Sequence, residues 1–233
     1  MLARLAERPD LAALLLDVDG TLAPIVPRPE DAHVPEPTRA ELRRLARRYA
    51  LVACVSGRPS RVAEQIVGVE GIRYVGEHGL ELAPEADEWA DRLADFADSV
   101  DWPAEKGKRL TLSFHYRASA DPEAAEAFLG AVANRALQEG LRPRWGRRVL
   151  EIRPPLDANK GTAVHALLDG AELRRAMYAG DDTTDLDAFR ALEGLDVAVR
   201  VAVFSDEAPS DLVRAADLVV SGPDAVAELL RQL

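Results

Sequence analysis

The sequence predicts an α/β fold: a doubly wound parallel sheet interrupted by a smaller inserted α/β domain. Three observations carry this. Short apolar runs recur at Leu11 to Leu16, Ala50 to Val55, Ile72 to Val75, Ala176 to Ala179 and Val197 to Phe204. Each is bounded by turn-forming residues, as buried parallel strands are. Helical patterns alternate with these runs, and this βαβα order implies a parallel sheet wound in both directions. The alternation breaks in the middle of the chain and then resumes.

In order, Leu11 to Leu16 is the first strand, and Pro24 to Pro37 a proline-rich loop. Thr38 to Tyr49 is an amphipathic helix that buries Leu42, Leu45 and Ala46. Ala50 to Val55 is the second strand and ends on Ser56-Gly57-Arg58. Arg61 to Val67 is a helix, Ile72 to Val75 a strand, and Gly76-Glu77-His78-Gly79 a turn. Trp89 to Val100 then reads as helix and Leu110 to Tyr116 as a strand with alternating faces. Asp121 caps a long helix to Gln138 with Pro122 at its first position. Leu141 to Trp145 and Arg148 to Ile152 form a hairpin around Gly146. The first pattern returns with a helix opened by Asn159-Lys160-Gly161, the strand at Ala176, a helix from Leu186 to Leu192, the strand from Val197, a short strand at Leu218 to Val220 and a helix from Ala225 to Leu233. The expected division is a discontinuous core, 1–80 with 156–233, and an insert over 81–155.

Composition bounds the function. With 233 residues, 48% hydrophobic and 30% charged, the chain can bury one large core or two small ones. A net charge of −11 offers no field to recruit nucleic acid. The single cysteine, Cys54, lies in an apolar run and reads as a buried structural thiol. Glu7, Arg8, Pro9 and Asp10 interrupt the opening stretch, and no apolar run reaches membrane-spanning length. The expectation is therefore a cytoplasmic protein without a membrane or nucleic-acid partner. Of 29 basic residues only Lys106, Lys108 and Lys160 are lysines, so a retained lysine hints at a need for a compact ammonium.

The chemistry starts where the first strand ends, at Asp17-Val18-Asp19-Gly20-Thr21. In an open α/β sheet such a position faces the ligand crevice. Two close carboxylates repel unless a cation or a shared proton compensates, and a hard divalent cation suits oxygen donors. An EF-hand loop is excluded, because Leu22 and Arg28 stand where glycine and glutamate would be required. A plain acidic β-turn remains the bland alternative at this point. Ser56, Lys160 and Asp181 with Asp185 share the same phase, each just past a strand end or at a helix start. Taken alone, each also has a bland reading as a turn, a solvated lysine or a helix cap.

Together they suit phosphoryl transfer from a phosphate ester. Asp17 would be the nucleophile, and Asp19 the acid and then the base. Asp17, the Asp19 carbonyl and Asp181, with Asp182 or Asp185 assisting, would hold magnesium. Ser56, Gly57 and the amides of Gly20 and Thr21 would hold phosphate oxygens, and Lys160 would neutralise charge shared by the phosphoryl group and Asp17.

These four stretches, Asp17-Val18-Asp19-Gly20-Thr21, Ser56-Gly57-Arg58, Lys160 and Gly180-Asp181-Asp182-x-Thr184-Asp185, resemble the four motifs of the haloacid dehalogenase (HAD) superfamily. An insert between the second and third motifs resembles the type IIB cap. Further stretches resemble the trehalose-6-phosphate phosphatases: Gly76 to Gly79, Leu112 to Arg117, Val149 to Pro154, Asn159 to Gly161 and Gly180 to Phe189. Val18 departs from the family, which often has an aromatic residue there. The resemblance implies a HAD-like core, magnesium, a sugar-phosphate substrate and a role beside a trehalose-phosphate synthase. A monomer is expected. The insert is locally basic, with Lys106, Lys108, Arg109, Arg117, Arg142, Arg144, Arg147, Arg148 and Arg153. His115, Arg117, Arg144 and Glu151 are its candidates for sugar contacts, with Arg58 and His78 on the substrate side of the core. Two linkers, near Glu81 and Pro154-Pro155, suggest hinge closure over the substrate.

Three other readings fit the core motifs. One is a phosphatase of sucrose 6-phosphate or of a mannosyl- or glucosyl-glycerate phosphate. The second is a phosphomutase, and the third a silent sugar-phosphate-binding module that regulates a synthase. The intact carboxylate and lysine set argues against the last.

Overall fold

The computed structural model describes residues 1–104, 108–146, 148–206 and 208–233. Lys106 and Arg147, counted above among the basic residues of the insert, lie outside them. The chain divides into two compact units, Met1–Gly79 with Ala158–Leu233, and Leu80–Asp157.

The first unit contains α1 (Leu2–Ala6), β1 (Ala12–Leu16), α2 (Glu36–Ala46), β2 (Leu51–Val55), α3 (Ser60–Val67) and β3 (Arg73–Val75) before the insertion. The second unit contains α4 (Ala86–Asp98), β4 (Leu112–His115), α5 (Pro122–Gln138), β5 (Arg142–Gly146) and β6 (Val149–Arg153). The first unit resumes with α6 (Lys160–Gly170), β7 (Arg175–Gly180), α7 (Asp185–Ala191), β8 (Val197–Phe204), α8 (Ser210–Ala215), β9 (Leu218–Ser221) and α9 (Gly222–Arg231).

Its six strands form one parallel sheet in the order β3-β2-β1-β7-β8-β9. The chain winds outward from β1 to β3 on one side and from β7 to β9 on the other. The switch point of this doubly wound sheet is thus the β1–β7 pair, whose carboxyl ends open the ligand crevice in such folds. β1 is buried on both faces. Leu14 and Leu16 join the cluster that includes Leu42, Leu45, Val67 and Leu230. Ala13 and Leu15 join the opposite one, with Val164, Leu167, Tyr178 and Phe189. This is why β1 reads as an unbroken apolar run rather than an alternating one.

The second unit has a three-stranded antiparallel sheet in the order β4-β6-β5, with α4 and α5 completing its own core of Leu93, Phe96, Phe114, Leu129, Leu150 and Ile152. The Asp121 side chain accepts from the Ala124 amide at 3.0 Å, the cap that the sequence announced.

Element ends differ from the sequence expectation for local reasons. α2 starts at Glu36, ahead of the expected Thr38, because Pro37 fits a first helical turn, where a missing N–H costs no hydrogen bond. α1 and α8 were not foreseen, since five and six residues are too few to show a helical period. Among the described residues no helix is long and apolar enough to cross a membrane.

Candidate active site

β1 and β7 bring two acidic loops side by side. The Asp17 amide donates to the Ala179 carbonyl at 2.9 Å, so Asp17 is the last rung between these strands. The chain then folds back, with Leu22 and Ala23 both donating to the Val18 carbonyl. Gly20 makes this possible. Its φ is +76°, and a Cβ there would lie 2.0 Å from Asp181 Oδ2. Only glycine lets the first loop approach the second so closely. The Gly20 amide itself donates to Ala23 O at 2.8 Å. Thr21 is fully buried, and its hydroxyl has no partner among the described residues.

α6 delivers the lysine. Asn159 caps it through a reciprocal box: the Thr162 amide donates to Asn159 Oδ1 at 2.9 Å and the Asn159 amide donates to Thr162 Oγ1 at 3.0 Å. Lys160 therefore occupies the first helical position, where the helix dipole disfavours a cation. It is only 2% exposed. What holds it is a pair of carboxylates, Asp17 Oδ1 at 2.8 Å and Asp185 Oδ1 at 2.7 Å. Burial pulls the ammonium down, but Asp17 and Asp185 outweigh it and raise Lys160 above the usual lysine range.

Asp17 is pushed well up from the ordinary carboxyl range, by burial first; Lys160 opposes the shift, while Asp185 and Asp181 add to it. Asp181 is pushed up to about 6, by burial and then by the charge of Asp185, against the pull of Asp17 and Lys160. Asp17, Asp181 and Asp185 each offer an oxygen within 4.8 Å of the others. Three carboxylates face one ammonium, so negative charge remains to be balanced, and the hard oxygen donors fit a divalent cation.

Within this cluster Asp185 is already saturated. Its Oδ1 accepts from Lys160 Nζ and from the Tyr178 hydroxyl, each at 2.7 Å. Its Oδ2 accepts from the Asp181 and Asp182 amides at 3.0 and 2.9 Å. Four bonds on a carboxylate that is 0% exposed make it the anchor of the second loop. Asp182 does not join the cluster. It is exposed, and its Oδ1 accepts from the Thr183 amide and hydroxyl. The sequence reading missed Tyr178 entirely. Inside a buried strand a tyrosine is indistinguishable from packing, and the only signal was a hydroxyl in an otherwise apolar run.

Ser56 ends β2, 1% exposed, with its Oγ accepting from the Arg58 amide at 3.1 Å. Arg58, expected on the substrate side, is engaged within the core unit. Its Nε and Nη2 grip both oxygens of Asp19 at 2.7 Å, and Nη1 donates to Pro29 O at 3.0 Å. This bidentate fork fixes the plane of the Asp19 carboxylate. Behind it, Glu77 and His78 both have left-handed backbones, φ 47° and 56°. That strain is offset by two bonds to the Ser56 loop, Glu77 N to Arg58 O and His78 N to Ser56 O, both 2.9 Å. The His78 ring fills the space beside Gly57, where a Cβ would lie 2.7 Å from its Nε2. His78 thus packs on the loop.

In the second unit, Glu151 on β6 lies directly between Ser113 on β4 and Arg144 on β5. His115 is two residues from Ser113 and shares its face, opposite Val149. Phe114, Leu150 and Ile152 turn the other way into the core. Lys108 Nζ donates to Ser113 Oγ at 3.3 Å. Arg117 is exposed beyond the end of β4. Arg109 pairs with Asp87 and Arg142 with Asp157, each at 2.7 Å, so the local basicity is partly neutralised.

A family model described as trehalose-phosphatase matches residues 15–105 and 104–218. The trehalose-phosphate phosphatases of Mycobacterium avium and Mycobacterium marinum are each 34% identical over 95% of this chain and 61% of theirs. The chain thus spans about three fifths of the length of these curated relatives. A probable trehalose-phosphate phosphatase of rice is 29% identical over 95% of this chain and 67% of its own. Among solved structures, the C-terminal domain of a C. albicans trehalose-6-phosphate phosphatase superimposes with a TM-score of 0.69 at 23% identity, covering 100% of this chain and 96% of that one. A haloacid dehalogenase-like hydrolase from Bacteroides thetaiotaomicron gives 0.65 at 16%, over 95% and 98%. At these identities the solved structures bear on the fold, which is HAD-like.

Proposed function

Because the chain belongs to the trehalose-phosphatase family, we propose that it is a magnesium-dependent phosphatase that hydrolyses trehalose 6-phosphate through an aspartyl-phosphate on Asp17. The observation that carries this reading is the buried Asp17–Lys160 pair beside Asp181 at the switch point of the sheet. A lone acidic cluster would suit a metal, but a buried lysine held against Asp17 suits a nucleophile that attacks an anion.

An Asp17 oxygen attacks phosphorus, and the bond to the sugar oxygen breaks as Asp19 gives that oxygen a proton. Water then attacks the aspartyl-phosphate, Asp19 takes its proton, and the bond to Asp17 breaks to release phosphate. Lys160 stays on Asp17 Oδ1 and orients it while opposing the charge of the incoming phosphoryl group. Asp19 reaches the leaving oxygen by giving up one of its two Arg58 bonds, and the oxygen so freed takes from solvent the proton that it delivers. Ser56 and Gly57 line the approach. Asp17, Asp181 and the Asp19 carbonyl would hold the magnesium ion, which neutralises phosphoryl oxygens and lets the carboxylates stay ionised together. Asp185 holds the Asp181 loop in place for it.

On this reading the 81–155 segment recognises the sugar. Glu151, Arg144 and His115 supply a mixed row of acceptor and donors that suits sugar hydroxyls. A trehalose-phosphate synthase would supply the substrate, and the enzyme would work as a cytoplasmic monomer. The test is phosphate release from trehalose 6-phosphate, sucrose 6-phosphate and glucosylglycerate phosphate, with magnesium or with chelator. Hydrolysis of the first at least about tenfold faster than the others, abolished by chelator, is expected. Equal rates across the panel would keep the chemistry and overturn the sugar assignment.

A further inference from the structure

Tyr178 belongs to none of the motifs, yet it touches the group on which the site hangs. It sits on β7 in the apolar cluster of Leu15, Val164 and Phe189, and it is fully buried. Its ring meets Phe189 edge to face at 6.1 Å. Phenylalanine would pack there as well, so packing does not explain the hydroxyl. A buried hydroxyl is costly unless bonded, and this one donates to Asp185 Oδ1 at 2.7 Å.

That oxygen is shared with Lys160, which is itself divided between Asp185 at 2.7 Å and Asp17 at 2.8 Å. The two distances are nearly equal, so the ammonium is balanced between the anchor and the nucleophile. The Tyr178 hydroxyl takes up part of the acceptor capacity of Asp185 Oδ1. Without it, that oxygen would face Lys160 alone and draw it off Asp17.

We propose that Tyr178 is a positioning residue for phosphoryl transfer: its hydroxyl, by taking up part of Asp185 Oδ1, keeps Lys160 shared with Asp17. The inference rests on the reading of Asp17 as nucleophile. It places the hydroxyl one step behind the chemistry, acting through Asp185 and Lys160 and never on the substrate. Its effect belongs to the reacting state, so it falls on kcat rather than on KM.

The experiment compares wild type, Tyr178→Phe and Phe189→Leu by Tm, by kcat and KM for trehalose 6-phosphate, and by calorimetric binding of beryllofluoride with magnesium, a stand-in for a phosphoryl group on Asp17. Phe189→Leu loosens the same packing and leaves the hydroxyl in place. Tyr178→Phe is expected to lower kcat about ten- to a hundredfold with KM within about twofold, and to weaken beryllofluoride binding about tenfold. Phe189→Leu is expected to lower Tm and keep kcat within about twofold. If Tyr178→Phe retains kcat and beryllofluoride affinity, the inference is overturned. It is overturned equally if the two variants lose kcat in proportion to their loss of Tm, or if Tyr178→Phe changes KM alone. Wild-type protein that neither releases phosphate nor binds beryllofluoride would overturn the phosphatase reading itself, and this inference with it. Wild type that binds beryllofluoride but ignores trehalose 6-phosphate would shift only the substrate, and the binding arm would still decide the role of Tyr178.

Discussion

The crevice at the ends of β1 and β7 and the open face of the β4-β6-β5 sheet are both rich in charge, and they treat it in opposite ways. In the crevice, Lys160 and Asp185 are buried, and all four acceptor positions of Asp185 are filled from β7, α6 and the loop between β7 and α7. On the sheet face, Arg144 and His115 are exposed, and Glu151 is half-buried in a row set out by strand register. A saturated buried network has one geometry and resists change, which suits bond-making. An exposed row exchanges partners with water at little cost, which suits reading a hydroxylated ligand. Substitutions should therefore harm chemistry and stability together in the first region, and apparent affinity alone in the second.

The largest expected effect is that of Asp17→Asn, which should cut kcat about ten-thousandfold or more in a phosphate-release assay while the circular dichroism spectrum is unchanged. Residual activity within tenfold of wild type would remove Asp17 as nucleophile. Next comes Lys160→Met, which strips a buried cation from two carboxylates. It should cost about 3–5 kcal/mol in urea denaturation and about 10²–10³-fold in kcat. A loss of activity with no loss of stability would contradict the network described for the crevice. Smaller are Glu151→Gln and Arg144→Ala, each expected to raise KM about tenfold, the cost of one charged hydrogen bond. Their kcat and urea midpoints should stay near wild type, and a fall in midpoint would show that the row is structural. Smallest is a null effect: Cys54, fully buried on β2 with its thiol pushed up by burial, should react with a thiol reagent only as fast as the core unfolds. Rapid modification of folded protein would show the core side of the comparison to be looser than described.

What the sequence disclosed follows the same division. Asp17, Lys160 and Asp181 were legible because each is tied to a local signal: the end of an apolar run, an Asn159 cap, a Gly180 turn. The sheet was legible for the same reason, since parallel strands buried on both faces stand out as unbroken runs. What escaped were relations between distant segments. Nothing local to Arg58 says that its fork closes on Asp19, 39 positions away. Nothing near Asp182 says that it turns onto Thr183 while Asp185, three residues on, carries the loop. The left-handed backbones of Glu77 and His78 also escaped, because non-glycine residues adopt them only when tertiary bonds require it.

The pairing of β1 with β7 has a consequence for the birth of the protein. Leu16 and Ala179 are neighbours in the sheet, yet the whole second unit is translated between them. As the chain leaves the ribosome, β1 can pair with β2 but must wait for β7, its other edge an open row of backbone donors and acceptors. Meanwhile the locally paired Leu80–Asp157 unit has everything its own core requires. The crevice is thus among the last parts to assemble, and the nascent chain is most exposed to wrong pairing in the interval before residue 175 emerges.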